Sequence, residues 1–152
     1  MNIDLDLQIN TSLETPAKNQ LLKWVSAALV EQSLSDNKTD AELSILIVDT
    51  EESQTLNRDY RQQDKPTNVL SFPAELPDFV DIPLLGDLVI CAPIVVKEAQ
   101  EQNKTATSHW AHMVVHGTLH LLGYDHIGDD AADTMEALEV QILKQLGFSN
   151  PY

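Results

Sequence analysis

The sequence predicts an α+β domain on two observations: about four short stretches carry a strand pattern and about five carry a helical one, and the two kinds do not alternate strictly. The expected architecture is a single domain over residues 1–152, with a small mixed β-sheet of about four strands packed by about five helices. A chain of 152 residues with 43% hydrophobic side chains buries roughly 70% of its unfolded surface, so its core needs no covalent staples. The single cysteine, Cys91, has no intrachain disulfide partner.

Ile3, Leu5, Leu7 and Ile9 alternate with polar residues, which reads as a strand with one buried face. Thr15 and Pro16 read as the cap and first residue of a helix running to about Leu34, with Leu21, Leu22, Val25, Ala28 and Leu29 on its apolar stripe. Residues 35–40 are a polar loop, and the β-branched run Leu43–Val48 is a more central strand. Asp49 to Glu52 offer an acidic capping box for a short helix ending near Arg61. A brief strand is expected from Val69 to Phe72, stopped by Pro73, and another from Gly86 to Cys91, with a loop between them bracketed by Pro77 and Pro83. Pro93 opens a helix ending near Asn103, and a long helix follows from Thr105 to Leu122 with Gly123 as its terminator. The last helix spans about Asp130 to Leu146, with acidic residues at its positive end and Gly147 just past it.

The 24 acidic and 9 basic residues give a net charge of −15, which argues against tight, sequence-blind binding of nucleic acid. Beyond about 8 Å such repulsion is screened at physiological salt, so a local basic patch is still compatible with phosphate. Arg58, Arg61 and Lys65 lie in one segment, whereas the six other lysines are scattered. The N-terminal residues form no basic and apolar leader, and no run approaches the roughly 20 apolar residues of a membrane span. A cytoplasmic protein without membrane contact is expected.

Four of the five histidines, His109, His112, His116 and His120, fall on one predicted helix, and His126 follows six residues after the last. At about 100° per residue the four share an arc of roughly 80°. His116 and His120, four apart, converge on one point, and the turn at Gly123 brings the chain back so that His126 supplies a third nitrogen. This H-x3-H-x2-G-x2-H spacing is that of a zinc site with an open fourth position, although imidazoles also suit other divalent transition metals. His109 and His112, beside Trp110 and Met113, are read as structural. A peptidase of the metzincin type needs a glutamate directly after its first histidine, and here that residue is Gly117. Asp125 is either a turn residue or an orienter of a ligand histidine.

Three blocks, Leu56–Pro73, Leu85–Ile90 and His112–His126, resemble the YbeY family of bacterial rRNA-processing endoribonucleases over essentially the whole chain. The resemblance implies an α+β fold and a zinc-dependent hydrolase of single-stranded RNA. It implies work in 3′-end maturation of small-subunit ribosomal RNA and in ribosome quality control. Carried over by position, it makes His116, His120 and His126 the zinc ligands and Arg61 the catalytic arginine, with Ser71 and Asp87 in matched blocks but without an assigned role. Ribosomal proteins or a ribosome-associated GTPase are the implied partners, and no DNA substrate is expected. A guanidinium beside a metal suits a phosphodiester, which favours function for Arg61 and leaves Arg58 and Lys65 open. Two other readings compete: a zinc hydrolase of peptides or small esters, and a non-catalytic assembly factor stabilised by zinc.

Overall fold

The computed structural model describes residues 2–36, 40–77, 79–80, 83–124 and 128–152, with 31–36 by backbone alone. Among these residues, β1 (Asn2–Asn10) leads through α1 (Lys18–Asp36) to β2 (Asp40–Val48), and α2 (Thr50–Arg61) follows. Next come β3 (Val69–Pro73), β4 (Leu84–Cys91), α3 (Ala92–Glu101), α4 (Ala106–Leu121) and α5 (Asp129–Gln145). The sheet is mixed, in the order β1-β2-β4-β3, with β1, β2 and β4 parallel and β3 antiparallel to β4. Parallel neighbours require a crossover connection, which α1 provides between β1 and β2. The β-branched β2 is central and β3 is an edge, where Pro73 can be part of the strand because one side needs no partner.

Alternation along the strands feeds two cores of unequal size. Leu43, Ile45, Ile47, Leu88 and Ile90 face the larger one, shared with Leu21 and Val25 of α1 and Val114, Val115 and Leu119 of α4. Val48, Leu70, Val89 and Cys91 turn to the opposite face, where Leu56 of α2 packs on them. The sheet is therefore covered on both faces beyond β1, the strand whose pattern predicts a single buried face.

Several boundaries differ from the sequence expectation for local reasons. Helix α1 starts at Lys18, because the Gln20 side chain reaches back to the Ala17 N–H and the Ala17 carbonyl takes the first helical bonds; Thr15 and Pro16 precede this cap. The capping box at α2 does not form: Asp49 makes no side-chain cap bond, since its carboxylate accepts the Thr11 hydroxyl at 2.5 Å. Strand β4 begins at Leu84 and carries an irregularity opposite Glu42 and Leu43. Gly86 sits there at φ +137°, and a Cβ would stand 2.2 Å from the Phe72 carbonyl oxygen, so only glycine lets β3 and β4 pair.

Helix α4 is the centre of the molecule, buried from His109 to Val115 and again from Gly117 to Leu119. Thr105 caps it by accepting the Ser108 N–H at 3.1 Å. Gly123, at φ +104°, ends it: its N–H donates to the His120 carbonyl while Tyr124 N–H reaches Leu119, the paired bonds of a Schellman stop.

Candidate metal centre and active site

The histidine stripe of α4 faces α3 and α5 because the helix's other sides are taken by the sheet and α1. At Gly117 the helix lies so close to the sheet that a Cβ would come within 2.8 Å of a Leu88 methyl and 3.2 Å of Val69. His116, the residue before this contact, is only 17% exposed through its side chain.

His116 Nε2 and His120 Nε2 lie 3.2 Å apart. Two imidazoles on one tetrahedral zinc, each at 2.0–2.1 Å, place their nitrogens about 3.3 Å apart, so the pair has the spacing of two ligands converging on one ion. The other nitrogen of His116, Nδ1, is bonded to the Glu139 carboxylate of α5. That carboxylate is fully buried, and its second oxygen accepts the Tyr152 hydroxyl and lies 3.6 Å from His112 Nε2. A ligand histidine characteristically donates its free N–H to a carboxylate in this way, which fixes tautomer and ring orientation.

The donors around Glu139 set its charge. Burial alone pushes its carboxyl up, but hydrogen bonds from His112, His116 and Tyr152, with the charge of His116, outweigh this and hold it at about 2. The Tyr152 hydroxyl is pushed above its ordinary range by burial and by the adjoining Glu139, so it remains a donor. His112, His116 and Glu139 have ligand atoms within 4.8 Å of one another, close enough together to hold a metal ion. A cavity of about 380 Å³ opens beside it, bordered by Asn68, Glu98, His112, His116, Glu136 and Tyr152.

His109 is 2% exposed and its Nε2 meets Glu98 at 2.9 Å, while Glu98 also accepts the Asn68 amide at 3.1 Å. Burial lowers the His109 pKa by more than Glu98 raises it. His112 is nearly as buried, but it borders the cavity.

Arg61, exposed at the end of α2, lays its guanidinium over the Phe72 ring at 5.1 Å and donates to the Ser71 carbonyl. The Ser71 hydroxyl in turn donates to the Gly117 carbonyl at 3.2 Å. Ser71 thus has a structural task, tying the arginine's strand to the histidine helix. Asp87 is elsewhere: it accepts the Ser44 hydroxyl at 2.5 Å, on the sheet face opposite α4. Arg58 pairs with its neighbour Asp59, and Lys65 stands exposed. His126 and Asp125 lie outside the described residues.

Glu139 and Tyr152 were not found by sequence reasoning. For Glu139 there was a signal, since it shares the buried stripe of α5 with Met135, Ile142 and Leu143, and a carboxylate at such a position needs a partner. Tyr152 carried none.

The family model for endoribonuclease YbeY matches residues 6–147. Over 149 residues the chain is 55% identical to the endoribonuclease YbeY of Cellvibrio japonicus (strain Ueda107), covering 97% of this chain and 82% of that protein. It is also 55% identical over 149 residues to the endoribonuclease YbeY of Colwellia psychrerythraea (strain 34H / ATCC BAA-681), covering 97% and 96%. The solution structure of a Thermotoga maritima protein matches with a TM-score of 0.56 at 25% identity, covering 95% of this chain and 91% of that one.

Proposed function

This chain belongs to the YbeY family of endoribonucleases, and on that premise we propose that it is a zinc-dependent hydrolase of single-stranded RNA phosphodiesters. In this reading it matures the 3′ end of small-subunit ribosomal RNA and serves ribosome quality control in the cytoplasm, where ribosomes assemble. The observation that carries the metal dependence is the 3.2 Å approach of His116 Nε2 to His120 Nε2, with His116 Nδ1 already held by Glu139. Both Glu139 oxygens are engaged by other side chains, so we assign Glu139 to orienting and His116, His120 and His126 to holding the ion. An ion held by these residues would supply Lewis acidity towards a phosphate ester.

The chain's own residues do the rest. Arg61 offers a planar fork to phosphate oxygens, and its stacking on Phe72 and bond to Ser71 fix the direction of that fork before substrate arrives. Glu139 and Tyr152 hold His116 in one tautomer, and we assign the cavity beside them to the substrate. A net charge of −15 keeps intrinsic RNA affinity low, so delivery by ribosomal proteins or a ribosome-associated GTPase is part of the proposal.

The peptidase alternative lacks its base: the residue after His116 is Gly117, and a side chain there would press on the Leu88 and Val69 methyls, which would have to shift. The deciding experiment compares metal content and cleavage of single-stranded and duplex RNA for wild type, His116→Ala, His120→Ala and His126→Ala. Wild type should hold one divalent ion and cut only the single strand, and each variant should lose both properties. A His126→Ala protein with full metal would remove that ligand from the assignment.

A further inference from the structure

We propose that Tyr60 is a base-stacking platform for the RNA strand, working with Arg58 and Arg61 as phosphate contacts on the β3 edge of the sheet. This rests on the endoribonuclease reading above and specifies where the strand lies.

Tyr60 is the penultimate residue of α2 and is 61% exposed. It is nevertheless held: its ring meets Phe72 edge-on at a centroid distance of 5.4 Å and an interplanar angle of 70°. The same Phe72 ring carries the Arg61 guanidinium, so one aromatic side chain of β3 fixes a ring and a cation side by side. Fixing them in advance removes part of the ordering cost of binding.

Charge selects the occupant. Three of the nine basic residues, Arg58, Arg61 and Lys65, fall within eight positions around this ring against two carboxylates, Asp59 and Asp64, so the segment is locally positive in a chain of net charge −15. Arg58 and Arg61 occupy the last turn of α2. The Arg58 pair with Asp59 is exposed on both sides and so holds its arginine only weakly. An aromatic face flanked by cations is what a single strand of nucleic acid uses, stacking a base on the ring while its phosphates meet the cations. A duplex offers no such base, because its bases are already stacked on one another.

Topology links the platform to the histidines. Strand β3 is the edge of the sheet, so nothing among the described strands covers its outer side. Ser71 accepts Arg61 through its carbonyl and donates through its hydroxyl to Gly117, the residue after His116. Phe72 packs on the smaller core, on the sheet face opposite α4, so a strand seated on Tyr60 and Arg61 would pass round the β3 edge to reach the cavity beside His116.

The test uses metal-loaded full-length protein and a short single-stranded RNA oligonucleotide, with steady-state cleavage measured for wild type, Tyr60→Phe, Tyr60→Trp and Tyr60→Leu. Stacking predicts that Tyr60→Leu raises KM about tenfold with little change in kcat, whereas Phe and Trp stay within about threefold of wild type. A second series places one abasic nucleotide at each position in turn. One position should cost wild type about as much as Tyr60→Leu does, and the two losses should not add. Wild-type KM in Tyr60→Leu overturns the platform, as does equal weakening by Phe and Leu, which would mean that the hydroxyl is what matters. If wild type itself leaves the oligonucleotide intact, the endoribonuclease reading fails and takes the platform with it.

Discussion

Replacing Glu139 by glutamine removes the negative charge behind His116 while keeping nearly the same volume. The wild-type carboxylate accepts from His116 Nδ1 and from the Tyr152 hydroxyl, with His112 Nε2 at 3.6 Å. Glutamine has one acceptor oxygen for these two donors, and its NH2 must face the other, leaving a buried donor unpaired. Loss of such a carboxylate behind a ligand histidine costs about 10–100-fold in metal affinity, which is about 1.4–2.7 kcal/mol. With the ion at saturating concentration the same amount comes off the apparent stability of the holoprotein. For a domain of this size that lowers the melting temperature by about 3–10 °C. The assay is a zinc competition titration against a fluorescent chelator, paired with thermal unfolding of apo and holo protein. The expected signature is a gap between apo and holo melting temperatures that narrows in Glu139→Gln. A variant whose zinc affinity stays within threefold of wild type would show that Glu139 does not orient His116, even if its apo form were less stable.

Arg61→Lys should retain fold and metal, since Arg61 is exposed, yet lose roughly a hundredfold in kcat/KM, because an ammonium lacks the planar fork; wild-type rates would remove Arg61 from the chemistry. Burial lowers the His109 pKa below its ordinary 6.5, so between those two values the unfolded chain binds the extra proton and stability falls as pH drops. Urea midpoints from pH 7.5 to 5.5, at equal metal loading, should fall less steeply for His109→Gln than for wild type, and parallel profiles would contradict the burial account. Gly86→Ala should cost about 3 kcal/mol or more, because it adds strain at φ +137° to a clash with the Phe72 backbone; a loss under about 1 kcal/mol would mean that the β3–β4 pairing yields easily.

What the sequence determined by itself was most of what depends on neighbours along the chain. The strand alternation of β1, the β-branched β2, the start of α4 near Thr105 and the Gly123 stop all follow from local geometry and were legible before any coordinates. The convergence of His116 and His120 is likewise a property of helical pitch, four residues making about one turn. Local reading erred where a distant side chain intervened, as when Thr11 took the Asp49 carboxylate from its capping box, and once within a single turn, where Gln20 accepts the Ala17 N–H and α1 starts at Lys18. Only tertiary structure decided which residues stand behind the histidines. Glu139 is 23 residues from His116, and Tyr152 is 40 from His112. No pitch or pleat relates such positions, and they meet because α5 and the C-terminal segment pack on α4, where a buried carboxylate must find donors or lose its charge.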